Sequence, residues 1–120
     1  MKQPVPKVTK ADVARIAERD FKSGDVESVL RLLSELTPKC GPHDPSRVQL
    51  AVLKLDGGNP DWLLAEIATA SQDPRDVIAG AECPQYMKRI GSGLSGVNIR
   101  QEVIASDWKQ YVTWLEREPA

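Results

Sequence analysis

Residues 46–60, SRVQLAVLKLDGGNP, decide the fold. Val48, Leu50, Ala51, Val52, Leu53 and Leu55 point nearly all round a helix, and only Gln49 and Lys54 interrupt them. A helix that is apolar on every side has to be buried on every side, so this one is expected at the centre of the molecule. Ser46 is the expected cap at its start, and Gly57-Gly58 stops it. Asn59-Pro60 then restarts the chain, with Asn as N-cap and Pro at the first helical position.

Upstream, Thr9 and Asp12 have capping-box spacing, and Val13, Ile16, Ala17 and Phe21 form the buried face of a first helix. Ser23-Gly24 ends it, and Asp25 is expected to cap a second helix. That helix carries a stripe of Val26, Val29, Leu30, Leu33 and Leu36. The two make a short-looped antiparallel hairpin. TPKCGPHDP, residues 37–45, reads as a loop, and residues 1–8, with Pro4 and Pro6, read as a mobile arm.

Downstream, Leu63, Leu64, Ile67 and Ala68 are the expected inward face of a fourth helix. Asp73-Pro74 repeats the cap-then-proline signal, and RDVIAGAEC ends before Pro84. Ala79-Gly80-Ala81 has so little side-chain volume that another backbone is expected close to it. Tyr86, Met87 and Ile90 extend into a short helix. Residues 91–97 read as a glycine-rich hinge and residues 98–117 as a C-terminal helix.

No strand-period alternation appears. The reading is all-α: five to seven short helices, with two antiparallel hairpins inside a 9–90 core, in a compact bundle or short α–α superhelix. A shift of 34 residues lays Ile16 on Leu50, Gly24 on Gly58 and Leu30 on Leu64. Duplication of a helical hairpin and chance alignment of two capped hairpins both explain it.

Sixteen basic and 17 acidic side chains give a net charge of -1, which argues against a broadly basic nucleic-acid surface. The central helix is too apolar, and the next too poor in basic residues, for a helix-turn-helix. No apolar run approaches the roughly 20 residues of a membrane span, and MKQPVPK lacks the apolar core of a signal peptide. A cytoplasmic protein with reduced thiols is therefore expected.

One histidine and two cysteines exclude a Cys₂His₂ zinc site. Cys40 and His43, with Asp44 beside them, are the single place where thiol, imidazole and carboxylate fall together. Such a trio can activate a thiol or, with Cys83, contribute metal ligands. A polar turn set by Pro and Gly is the plainer reading. Arg75, Asp76 and Glu82 read as charges on the outer face of the fifth helix, and Glu18, Asp20, Glu27 and Glu35 as a solvated face. Lys88, Arg89 and Arg100 flank the glycine-rich segment, which lacks the Lys-Ser/Thr of a phosphate loop. No cofactor is implied.

In the C-terminal helix, Ile104, Trp108, Tyr111, Val112 and Leu115 share one stripe, while Ile99, Val103 and Trp114 lie off it. The first stripe is expected to cover the hairpins near the small residues. The second trio is then left for a protein partner or a second copy, or else folds into the monomer core. A break at Ser106-Asp107, capped by Asp107 with Gln110, is the other way to use two faces.

RVQLAVLKLDGGNPDWLLAEIATA and RDVIAGAECPQYM resemble a group of small, uncharacterised bacterial all-helical proteins over about residues 10–88. The resemblance implies an all-helical fold and a bacterial origin, and it brings no catalytic residue. Aromatic residues are common in that group near the positions of Gly80 and Cys83, so the space here implies another element filling it. The leading functional expectation is a non-enzymatic protein-interaction or regulatory module. The rival is a small enzyme or metal-binding protein using Cys40 and His43.

Overall fold

In the computed structural model, which describes residues 4–91 and 101–119, the all-round apolar stretch forms helix α3 (Pro45–Asp56). Val48, Leu50, Ala51, Val52 and Leu53 are completely shielded from solvent. Helix α3 packs against α1 (Lys10–Asp20), α4 (Pro60–Gln72) and α5 (Pro74–Glu82). Helix α2 (Val26–Ser34) packs on α1, followed by a 3-10 turn at Thr37–Lys39. Helices α6 (Pro84–Gly91) and α7 (Gln101–Glu116) pack on each other and on α5. The described residues are all-α with no strand, and one apolar cluster runs through α1 to α5.

Three helices begin in the same way. Asp44, Asn59 and Asp73 each precede a proline, and each side chain accepts backbone N–H groups of the first turn. Asp44, not Ser46, therefore caps α3; Ser46 lies inside the helix and donates its own N–H to the Asp44 carboxylate. Asp25 makes no such bond, because its backbone is already helical. The stop after α3 uses Gly57 at φ +59 and Gly58 at φ +81, conformations that favour glycine. A Cβ on Gly58 would lie 2.8 Å from the Asp20 carbonyl oxygen, so the α3–α4 turn is pressed onto the end of α1.

Several expectations change. Leu63 and Ala70 are buried in α4 and Ile67 is half-buried, whereas Leu64 and Ala68 face solvent. The inward arc is centred between Leu63 and Ala70, which puts Leu64 on the flank about 100° away. At Gly80 the close neighbour is the Leu55 side chain, 3.6 Å from where a Cβ would sit, rather than a backbone. Pro6 and Val8 are buried and Val8 joins the core, so the end of the arm is packed down. The expected hinge falls, after Gly91, outside the described residues.

Helix α7 is continuous through Ser106 and Asp107. Asp107 is 2 % exposed and accepts the N–H groups of Gln85 and Tyr86, each at 3.0 Å. It caps α6 from a different helix instead of restarting its own. Its neighbour Gln110 donates to the Ala81 carbonyl at 3.2 Å, which ties α7 to the end of α5.

Leu50→Ala or Leu53→Ala is expected to cost about 2–5 kcal/mol in urea unfolding, the cost of a cavity in a fully buried site. A nearly neutral result for either would remove α3 from the centre of the core.

Candidate functional site

Helix α5 presents Arg75, Ile78 and Glu82 at helical spacing along one side, and the starts of α3 and α6 stand over them. Between these elements lies a cleft of about 430 Å³, with Pro4 and Val5 at its edge and His43, Arg47, Cys83 and Met87 among its other walls. The size is that of a small-molecule site.

The strongest polar contact in the cleft is between Arg47 and Glu82. Arg47 Nε donates to Glu82 Oε2 and Nη2 donates to Oε1, both at 2.7 Å. The Glu82 side chain is 6 % exposed, so the carboxylate read as solvated is in fact buried and neutralised by a two-point ion pair. Asp20, also expected in a solvated face, is mostly buried and held by Arg19 Nε and Nη2 at 2.8 and 3.1 Å. Glu82 is neutralised by an arginine 35 residues away, of which local helical periodicity carries no sign, whereas Asp20 is held by its own chain neighbour.

The two sequence candidates share one turn, where the His43 N–H donates to the Cys40 carbonyl at 3.1 Å, but their side chains have different surroundings. His43 lines the cleft. Cys40 is 2 % exposed, and its Sγ donates to the Leu36 carbonyl at 3.0 Å. Burial, reinforced by Asp44, pushes its thiol pKa up. Cys83 does reach the cleft, but burial first, then Glu82 and Asp107, raise its thiol to about 11 against the opposing Arg47. A nucleophilic cysteine needs the opposite shift, toward thiolate. Among the described residues, no three His, Cys, Asp or Glu side chains group as a metal site.

Val103 is 6 % exposed, and Trp114 packs against the core. The Arg19 guanidinium lies 5.3 Å from the Trp114 ring centroid, and its Nη1 donates to the carbonyls of Trp114 and Arg117 at 2.6 and 3.1 Å. Val103 is thus buried in the monomer, Trp114 is half-buried beneath Arg19, and Ile99 lies outside the described residues. The inward face of α7 runs through Val103, Asp107 and Tyr111, between the two stripes read from sequence. A buried Asp on that face is what an apolar periodicity cannot show.

Asp56 is a titratable residue the sequence did not single out. It is 3 % exposed, its Oδ1 accepts the Gly58 N–H at 2.7 Å, and its Oδ2 has no partner among the described residues. Burial pushes this carboxyl up to about 7, with Asp20 and Glu66 adding to the rise and the Gly58 bond opposing it. It is sealed at the end of α3, on the turn into α4, and does not line the cleft.

A second surface stands out on α4. Trp62 and Leu64 are 59 % and 55 % exposed. The outward arc between them carries Ala65, Ala68, Thr69 and Gln72 and a single charged residue, Asp61, at its N-terminal end.

No known protein family, curated protein or solved structure matches the chain. Among the described residues no helix is long and apolar enough to cross a membrane.

Two measurements test these environments. Iodoacetamide at neutral pH is expected to modify Cys83 more slowly than free cysteine, and Cys40 only after unfolding. Fast alkylation of Cys40 in the folded protein would revive the nucleophile reading. For Asp56, the folded state holds a proton more tightly than the unfolded chain, whose carboxyl titrates near its ordinary value. Its stabilising effect is full in acid and is lost as pH rises through about 7. The urea midpoint is expected to drop between about pH 5 and about pH 8 in wild type, and to drop less in Asp56→Asn. Parallel profiles would mean that Asp56 is not the group responsible.

Proposed function

We propose that this chain is a non-enzymatic helical interaction module that works by self-association through the outer face of α4. The observation that supports it is the exposure of Trp62 and Leu64 on a helix whose other face is built into the core. Tryptophan is the residue most enriched at interface hot spots, and apolar side chains left this open favour a partner that covers them. Between the two, Ala65 and Ala68 keep the surface low, so a second helix can approach closely. In a two-fold antiparallel pair Ala65 faces Ala68 of the partner, and each Trp62 lies over the far end of the partner's helix. The lone Asp61 sits at the helix end, so no like charges meet across the middle. The rival reading, an enzyme or metal protein using Cys40 and His43, has no comparable support, since Cys40 is shut beneath the Leu36 carbonyl. A bacterial regulatory role fits such a module and the helical proteins it resembles.

Sedimentation equilibrium tests the reading. Wild type is expected to shift from monomer to dimer as concentration rises, and Trp62→Ala with Leu64→Lys is expected to remain monomeric. Both positions are exposed, so this variant should unfold within about 0.5 kcal/mol per site of wild type. A wild-type monomer at every concentration, or a variant that still dimerises, overturns self-association through α4.

A further inference from the structure

We infer that the cleft between α3, α5 and α6 binds a small amphipathic organic anion, a carboxylate with an apolar body. The charge balance of its walls carries this inference. Two guanidinium groups, Arg47 and Arg75, and the His43 imidazole face one carboxylate, Glu82. Both oxygens of Glu82 are taken by Arg47, so it has little capacity left for Arg75. Arg75 itself is exposed and has no carboxylate within ion-pair distance among the described residues.

The Arg47–Glu82 pair also leaves a donor edge over. Nε and Nη2 are engaged, while Nη1 donates to nothing among the described residues. The ion pair therefore holds a guanidinium rigidly in place with one N–H pair unspent, a pre-organised arrangement for a carboxylate. Glu82 offsets one positive charge, and Arg75 supplies the excess that favours an anion.

The apolar half of the ligand follows from the same walls. Of the four large apolar side chains that stand exposed on the described surface, two, Val5 and Met87, line this cleft. Ile78 and Ala79 contribute further apolar lining from α5 between the level of Arg75 and that of Glu82. A chain or ring lying there covers Val5 and Met87 while its carboxylate meets the guanidinium edges. A hydrophilic anion such as acetate leaves that surface wet, and a neutral apolar molecule leaves the guanidinium groups without a counter-charge. This cleft is separate from the α4 face, so the inference stands whether or not the chain dimerises.

Titration of the full-length protein with sodium octanoate, followed by amide and arginine Nε chemical shifts, tests it. Saturable shifts are expected along α5 and at Arg47 and Arg75, weakening with added salt. Arg75→Ala is expected to lower octanoate affinity roughly tenfold, the effect of losing one hydrogen bond to a charged group. Met87→Gln is expected to lower it by a smaller factor, and octanol and acetate are both expected to bind more weakly than octanoate. Arg75 is exposed, so an unchanged melting temperature of Arg75→Ala confirms that the loss is local. Absence of saturable shifts, equal affinity of Arg75→Ala, or equal binding of octanol or acetate overturns the inference.

Discussion

The short helices of this chain have to be held by something other than themselves. The described residues form seven α-helices of 8 to 16 residues, and most helices of that length are marginal in water. Helix α3 supplies the constraint, because its apolar residues occupy every side and demand cover from α1, α4 and α5 at once. Each covering helix then needs only a single apolar arc, as in α1, where Val13, Ile16 and Ala17 are the buried set. Burial of α3 and folding of its neighbours are one event, since neither is favourable alone.

The remaining elements are fixed at their ends by polar groups arriving from elsewhere in the chain. Asp107 of α7 satisfies two N–H groups at the start of α6, where a negative charge also favours the helix dipole. Arg19 of α1 satisfies carbonyls at the end of α7, where a positive charge is favourable. Gln49, buried in α3, donates to the Leu33 carbonyl at the end of α2 at 2.9 Å. In every case a group that is costly to bury is matched to the backbone groups that a helix terminus leaves over. These clips fix the ends of α6 and α7, while Trp114 and Leu115 of α7 pack against the edge of the main cluster.

The parts of the fold legible in sequence were those encoded locally. The prolines at positions 45, 60, 74 and 84 mark four helix starts, and the run from Val48 to Leu55 marks the centre, because both effects act within a turn or two of the chain. Asp44 carries the same cap-then-proline signal as Asn59 and Asp73, although Ser46 lies nearer the apolar run. What periodicity could not carry were side chains whose partners lie far along the chain. Glu82 looks solvated until Arg47 is seen 35 residues away, and Asp107 looks like a cap for its own helix until Gln85 and Tyr86 are seen beneath it. The cleft was illegible for the same reason: His43, Arg47, Arg75 and Met87 are brought together only by the packing of α3, α5 and α6.

That contrast bears on where function can reside. Cys40, the most reactive-looking residue in the sequence, is spent on structure: its thiol closes on a carbonyl four residues back and lies among core side chains. Arg19 and Asp20 are spent likewise, with four hydrogen bonds and one ion pair among themselves and the end of α7. A residue already committed on all sides has no free energy left to give a ligand, because binding would first have to break what it holds. Two of the surfaces left uncommitted expose the large apolar side chains of the described residues. One is the α4 arc with Trp62 and Leu64, and the other is the cleft with Arg75, the outer edge of Arg47, Val5 and Met87. The first offers apolar area with almost no charge, which suits a protein surface. The second offers positive charge beside apolar area within about 430 Å³, which is too small for a protein surface and suits a single small anion.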